Sequence, residues 1–433
     1  MISEHIHMRF YAKTILPFLV VATASTFYLY EFFLRVLPGV LSYEIMKDMQ
    51  INATTLSFIG TSFYYGYISM QIPIGVLCDR YGPKKLLTLS VGACGIATII
   101  FGYSYSPILS SISRVIIGIA SATAFVGPLA LATKWYDKKY FALITGLIQL
   151  LGCIGAIVGG EPIASLTKFT SWRHSIIWSG IFGIVLTFIY LIVIKDSPES
   201  SSKNSANKSS IKQELTRLKT VIAKKQNWYT AITAMCCWAP IAIFSELWGV
   251  TFLMDLQHID NATAASEAAW VWYGIALGSP IAGWVSDKIG SRCIPITLCS
   301  IIGLISSTIL LYAHVSSVLT IEILLFFFGL AASSQAVTFG LVADNNTEET
   351  IGTAIGFNNM AVISGAILQT LTGIIISSVW QGKMLAGSPI YTVYEFKYAF
   401  AIIPLICLLS IFTSTFLINE TNCKKRNDHN SRF

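Results

Sequence analysis

Four ionisable side chains stand where charge is expensive. Glu31 and Arg35 fall in the apolar stretch 14–40, Arg114 near the start of 107–133, and Glu246 in 229–254. Such residues inside apolar spans mark solute pathways or proton relays. Glu31 and Arg35 are four apart and share a helix face, so they form either a salt bridge that makes insertion tolerable or a site that offers a cation to a carboxylate. Glu246 has no basic neighbour on its own stretch, and an unpaired buried carboxyl is most easily held neutral, which suits it to carry a proton; a hydrogen-bonded structural acid is the alternative. Tyr28, Tyr64, Tyr65, Tyr67 and Gln71 in the first half, with Trp248, Gln335, Asn358 and Asn359 in the second, supply a polar aromatic lining on the same spans. Each taken alone also reads as packing. Arg35 or Arg114 would pair a carboxylate, and Glu31 or Glu246 would hold an ammonium or a proton. This is the chemistry of binding and translocation rather than of an enzyme.

The elements that position these residues follow from composition. Of 433 residues, 54% are hydrophobic and 12% charged, with a mean hydropathy of +0.65; soluble domains are about 25% charged. Helical spans of roughly 20 residues are predicted at 14–40, 54–78, 84–104, 107–133, 139–163, 174–195, 229–254, 268–286, 292–313, 316–343, 351–379 and 398–418. The chain therefore reads as an all-α membrane protein of twelve transmembrane helices. Of the 29 Lys and Arg residues, 22 fall in one set of alternate loops and the tails, and five in the other set. Basic loops stay in the cytoplasm, so both termini are expected there, with the chain a multi-pass integral membrane protein. The positive excess belongs to topology, and no nucleic-acid partner is expected. The cysteines avoid the candidate outer loops and form no CxxC, so neither a disulfide framework nor a metal site is expected. No phosphate-binding lysine motif supports ATP-driven transport, and no cofactor is expected.

Composition breaks only at 196–228, which divides an N-terminal six-helix bundle, 1–195, from a second, 229–418, followed by a tail, 419–433. Within the break, IKQELTRLKTVIAKKQ places Ile211, Leu215, Leu218 and Ile222 at helical spacing beneath a basic face, the pattern of a helix lying on the membrane surface. A solvated charged linker is the alternative. The halves repeat each other. Gly75-x-x-x-Asp79-Arg80-x-Gly82-x-Lys84 recurs as Gly283-x-x-x-Asp287-Lys288-x-Gly290-x-Arg292, Gly118 aligns with Gly329, Gly155 with Gly365, Gln149 with Asn359, and Glu31 with Glu246. Two pseudo-symmetric bundles of the same orientation follow. Gly75 and Gly283 would permit close helix approach, Gly82 and Gly290 a tight turn, and the charges would lock a gate. The loop between spans ten and eleven holds Asp344, Glu348 and Glu349 without a base. Asp344 would pair with Lys288 or Arg292, and Asp79 would cap the N-terminus of span eleven.

GVLCDRYGPKK, 75–85, resembles the signature loop of the major facilitator superfamily, and GWVSDKIGSR, 283–292, a degenerate second copy. YEFFLRVLPGVL, SFYYGYISMQIPIGVLCDRYG, ELWGVTFL and GTAIGFNNMAVISGAILQ look like a bacterial branch related to the lysosomal dipeptide transporter and to phagosomal nutrient transporters. Arg114-x-x-x-Gly118 resembles the superfamily's fourth-helix motif, although Ala122 stands where the pattern has glycine; an arginine snorkelling to the membrane interface is the alternative. Span five approaches the antiporter glycine motif, but Ala156 holds its proline position, which argues against exchange of drug for proton. The resemblance implies a monomeric symporter with alternating access, moving a small organic solute, an amino acid or short peptide, with protons. Efflux of a siderophore or drug-like solute, or a transporter-derived receptor, are the rival readings.

Overall fold

The computed structural model describes residues 15–137, 140–196, 211–315, 317–347, 349–385 and 388–424. The polar stretch 197–210 and the last nine residues of the expected tail lie outside them. Span one is Leu16–Val40, span two Ala53–Met70 continued by Pro73–Tyr81, span three Pro83–Tyr103, span four Pro107–Ser121 with Thr123–Trp135, span five Phe141–Val158 with Glu161–Leu166, and span six Trp172–Val193. The second half repeats the order. Span seven runs Lys225–Ile243, a π turn Phe244–Trp248 and Gly249–Gln257, span eight is Asn261–Ile289, span nine Cys293–Tyr312, span ten Val318–Ala332 with Gln335–Asn345, span eleven Ile351–Ser364 with Leu368–Ser378, and span twelve Val393–Phe400 with Ile402–Phe412. Prolines open spans three and four and the second part of span two, where the missing N–H would have no helical partner anyway.

The two bundles are built alike. Spans three and six, two and four, and one and five pack together in the first half, and nine and twelve, eight and ten, and seven and eleven in the second. The correspondence reaches single atoms. A Cβ at Gly118 would overlap the Phe63 carbonyl oxygen of span two, and one at Gly329 the Val271 carbonyl oxygen of span eight. Only glycine admits these backbone contacts, the main source of packing energy where lipid removes the hydrophobic drive. The tight turns are also repeated, with Gly82 at φ +84° and Gly290 at φ +69°.

Among the described residues ten helical segments are long and apolar enough to cross a membrane, and the two remaining spans, two and eight, each lie at a seam between the bundles. Span two faces span eleven, where Thr54 Oγ1 donates to Ser377 Oγ at 2.9 Å, and span eight faces span five. A helix shielded by protein on one side needs less hydrocarbon, so the Tyr, Ser and Thr of span two and the Ala, Gly and Ser of span eight are tolerated.

The linker helix, Ile211–Ala223, forms, and its apolar residues divide between the second bundle and the exposed surface. Val221, fully buried, and Leu218 pack on Ala231, Val342, Ala354 and Phe357 of the second bundle, whereas Leu215 and Ile222 are exposed. Asn227 fixes the junction by donating to the Val221 carbonyl at 2.9 Å.

Candidate solute-binding site

Span one brings Arg35 to the interface between the bundles. Its guanidinium donates to Glu31 Oε1 through Nε at 2.9 Å and through a second nitrogen at 2.5 Å, as the four-residue spacing dictates. The third nitrogen stands 3.6 Å from Glu246 Oε1 of span seven. Glu246 is therefore not the unpartnered carboxyl that its own helix suggests: its base comes from the other bundle. Tyr64 of span two also donates its hydroxyl to Glu246 Oε2. The π turn Phe244–Trp248 carries Glu246, and the extra residue in such a turn re-aims its side chains. Phe32 stacks 4.2 Å from the guanidinium, and Phe63, Tyr64 and Tyr67 surround it at 5.6–6.0 Å. All three charged groups are buried. Removal from water is offset by mutual pairing and by the ring faces, yet Glu31 Oε2 and Glu246 Oε1 have no hydrogen-bond partner among the described residues.

Two cavities lead to this cluster. A vestibule of about 620 Å³ opens between the bundles at the end where Gln226, at the start of span seven, bonds Leu417 near the end of the described chain. Gly75, Thr133, Thr353 and Glu349 line it, together with Arg217 of the linker helix. Above it lies a chamber of about 40 Å³ lined by Tyr28, Phe32, Arg35, Tyr67, Gln149, Trp238, Gln335 and Asn359, among others. The opposite end is shut. Gly39 rests on the backbone of Glu246 and Leu247, Ser42 bonds Thr251 at 2.5 Å, Asn261 donates to Val40 O at 3.0 Å and to Glu44 at 3.1 Å, and Lys168 meets Asp260 at 2.6 Å.

Of the residues singled out in the sequence, Tyr28, Arg35, Gln335 and Asn359 line the chamber, with Glu31 and Glu246 bound to Arg35. Tyr65 does not. It is 41% exposed on the outer surface of the bundle beside Phe58, because Tyr64, Tyr67 and Gln71 hold the inner face of span two and a one-residue step turns the helix by about 100°. Trp248 is buried against Phe396 of span twelve, away from the chamber. Arg114 is 2% exposed, so it does not snorkel; it donates to the Leu34 carbonyl at 2.9 Å and lies 4.9 Å from the Phe63 ring, bracing span one directly behind Arg35. Phe32, Phe125, Trp238 and Phe339 line the chamber without having been expected. Nothing in the sequence separates them from packing aromatics, whereas Gln149, which accepts from Tyr28 at 3.2 Å, was marked by its repeat partner Asn359.

Of the two bases expected to pair with Asp344, Arg292 takes it. Arg292 holds Asp344 at 3.0 Å and Asp287 at 2.8 Å, and Thr421 also donates to Asp344 at 2.9 Å. Lys288 lies over the Trp284 ring at 4.6 Å, so the pairing falls to Arg292, whose planar fork reaches two carboxylates. The side chain of Asp79, and with it the proposed cap on span eleven, lies outside the described residues. Arg80 is exposed beside Tyr81, and Lys84 donates from Nζ to the Leu191 carbonyl at 3.0 Å. Gly75 and Gly283 make no close helix approach here: among the described residues nothing stands within 4 Å of a Cβ at either. The mouth is open, and the surfaces they would join are apart.

Two acids without earlier notice cap the repeats. Asp196 accepts from the backbone N–H of Lys84 at 2.8 Å, and Glu420 accepts from those of Arg292 and Cys293, each at 2.9 Å. Their signal was position, as the first acids after spans six and twelve.

A helical membrane chain with two matching six-span halves, a central charged site and one open end matches the sequence model of the Major Facilitator Superfamily over residues 20–370. The chain belongs to this superfamily. It is similar to a probable sulfoacetate transporter of Cupriavidus necator, at 22% identity over 60% of this chain and 62% of that protein, less than two thirds of its length. It is also similar to a probable galactarate/D-glucarate transporter of Escherichia coli, at 22% identity over 77% of this chain and 81% of the other. Among solved structures, a bacterial homologue of the human lysosomal transporter Spinster, in an inward-facing and occupied conformation, superimposes with a TM-score of 0.75 at 15% identity, covering 91% of this chain and 95% of that one. At that identity the likeness speaks for the fold. The chain is a multi-pass membrane transporter of small organic solutes and not an enzyme.

Proposed function

We propose that this transporter imports a zwitterionic solute, an amino acid or short peptide, together with protons, and that it works as a monomer in a bacterial inner membrane with both termini in the cytoplasm. The observation that carries the reading is the sharing of Arg35 between Glu31 on its own helix and Glu246 across the bundle interface. A solute carboxylate competes with Glu246 for the guanidinium. Protonation of Glu246 releases its claim on Arg35, and the freed cation takes the solute. The ammonium group then finds Glu31, whose second oxygen has no hydrogen-bond partner among the described residues. Proton and solute thus act at one side chain from opposite sides, which couples their movements. The 22-to-five division of basic residues supports the orientation, and the closed far end with an open vestibule corresponds to an inward-facing state.

The names of the relatives favour a second reading, a sulfonate or sugar acid. The site argues against a dianion, because two carboxylates already face Arg35 and Arg114 is turned to a backbone carbonyl. A thermal-shift screen of purified protein decides between them. Amino acids or dipeptides should raise the melting temperature, and the same solutes should drive counterflow in proteoliposomes. Stabilisation by glucarate or sulfoacetate alone would replace the zwitterion with an organic anion. Net export from pre-loaded vesicles under an inward proton gradient would restore the efflux reading, and binding without counterflow the receptor.

A further inference from the structure

The vestibule and the chamber are separate cavities that share three lining residues, Phe125, Phe339 and Asn359. Asn359 of span eleven donates from Nδ2 to Gln71 Oε1 at 2.7 Å, and this bond joins the second bundle to the first. Gln71 sits at the break between Met70 and Pro73, where the proline cannot donate to the Ser69 carbonyl and the helix loosens. Its own Nε2 is buried without a partner among the described residues. The neighbouring Asn358 turns the other way and donates to Thr338 of its own bundle at 3.0 Å, so only one asparagine of the pair crosses the interface. One helical turn before Asn359 stands Gly356, where a Cβ would come within 4.0 Å of the Gln71 carbonyl oxygen. The backbones of spans two and eleven are therefore close at this level, while the mouth below is wide.

We infer that the Gln71–Asn359 amide pair, flanked by the Phe125 and Phe339 rings, is an inner gate that closes the Arg35 chamber from the vestibule even when the bundles are apart at the mouth. This deepens the proposed function, since it rests on the chamber being the solute site. The gate divides release into two steps, parting of the mouth and then rupture of one partly buried amide hydrogen bond. It also selects. A solute that offers a carboxylate, ammonium or amide replaces the lost hydrogen bond as it passes, whereas an apolar solute leaves the buried Gln71 amide unsatisfied. The chamber, with room for little more than water in this state, fills only as the gate opens.

The test needs no solute, so it is independent of the zwitterion reading. A reporter cysteine at Gln335 lines the chamber only, and one at Thr133 lines the vestibule only. Each is reacted with a small charged methanethiosulfonate on detergent-purified protein, and labelling at each site is followed by peptide mass spectrometry, which separates the reporters from the native cysteines. Gln71→Ala and Asn359→Ala should each speed labelling at position 335 about tenfold, the upper end of what one hydrogen bond holds closed. The double variant should go no faster than either single one, because both remove the same bond. Labelling at position 133 should not change. Gln71→Met keeps the volume and removes the amide, so it carries the same expectation if an alanine variant fails to fold. An unchanged rate at position 335, or an equal rise at both positions, would overturn the gate.

Discussion

Span one and span seven hold equivalent places in the two bundles, and each presents a carboxylate to the centre, yet only span one brings a base with it. Glu31 is tied to Arg35 by two hydrogen bonds within one helical turn. Glu246 meets the same arginine at 3.6 Å from across the interface and takes a hydroxyl from Tyr64, again on the first bundle. A contact within one helix persists whatever the bundles do, but a contact between bundles must change when they rock. The duplication has thus been made unequal at the point where inequality is useful. On the proposed function, Glu31 would be the permanent partner that orients Arg35, and Glu246 the conditional one whose place proton and solute contest.

The most drastic way to break this comparison is to remove what both acids share. Arg35→Ala leaves two buried carboxylates facing each other. Removing one member of a buried charge network costs ~3–5 kcal/mol, so both proton-driven accumulation and counterflow should be lost, along with much of the folded yield by fluorescence-detected gel filtration. Adding Glu31→Gln and Glu246→Gln to that variant should restore yield without restoring transport. Recovery of transport in the triple variant would show that Arg35 serves insertion alone.

Separate neutralisation of the two acids sharpens the comparison. Glu246→Gln should keep counterflow, which needs no net proton movement, and lower gradient-driven accumulation by an order of magnitude or more. Glu31→Gln should lower both, because the guanidinium loses its fixed orientation. Full accumulation by Glu246→Gln would exchange the two roles.

A smaller effect is expected at the open mouth, where the halves also differ. In the second bundle Arg292 spans Asp287 and Asp344, while the corresponding Lys84 of the first donates to a backbone carbonyl. A double-mutant cycle between Arg292→Ala and Asp344→Ala, read by thermal unfolding, should give a coupling of ~0.5–3 kcal/mol. The same cycle with Lys288→Ala should be additive. Coupling at Lys288 instead of Arg292 would refute the observed pairing.

How far the sequence reaches can be judged on these residues. Spans, repeat and the buried charges Glu31, Arg35 and Glu246, each taken singly, are legible because charge in apolar sequence and a recurring glycine-aspartate pattern have few other causes. Tyr65 was legible as well, since Tyr64, Tyr67 and Gln71 fall at a helical period that excludes it; the error lay in reading a cluster of tyrosines as one surface. The partner of Glu246 was not legible, because it depends on how two bundles dock, and neither were Phe125 and Phe339, whose role arises from the gap between helices. The choice of Arg292 over Lys288 required the turn at Gly290 to be seen in space.

The least effect is expected at the caps after spans six and twelve, which repeat in position but not in strength. Asp196 receives the Lys84 N–H at 2.8 Å. Glu420 receives the N–H groups of Arg292, Cys293, Thr421 and Asn422 at 2.9–3.0 Å and the Ser291 hydroxyl at 2.5 Å. Partial burial pushes the Glu420 carboxyl up, but these donors outweigh it and hold it at about 2, below the ordinary value of about 4.3. The folded state therefore binds a proton less readily than the unfolded one. Its contribution is fully present above about pH 4.3 and is lost as pH falls through about 2. Glu420→Gln should lower the melting temperature by a few degrees at pH 7, and Asp196→Asn by less, since fewer charge-assisted bonds go with it. Between pH 5 and pH 3 the gap between wild type and Glu420→Gln should narrow, because the wild type alone loses this term. A gap that stays constant down to pH 3 would mean that Glu420 acts through shape rather than charge, and the inequality of the two caps would then be one of packing.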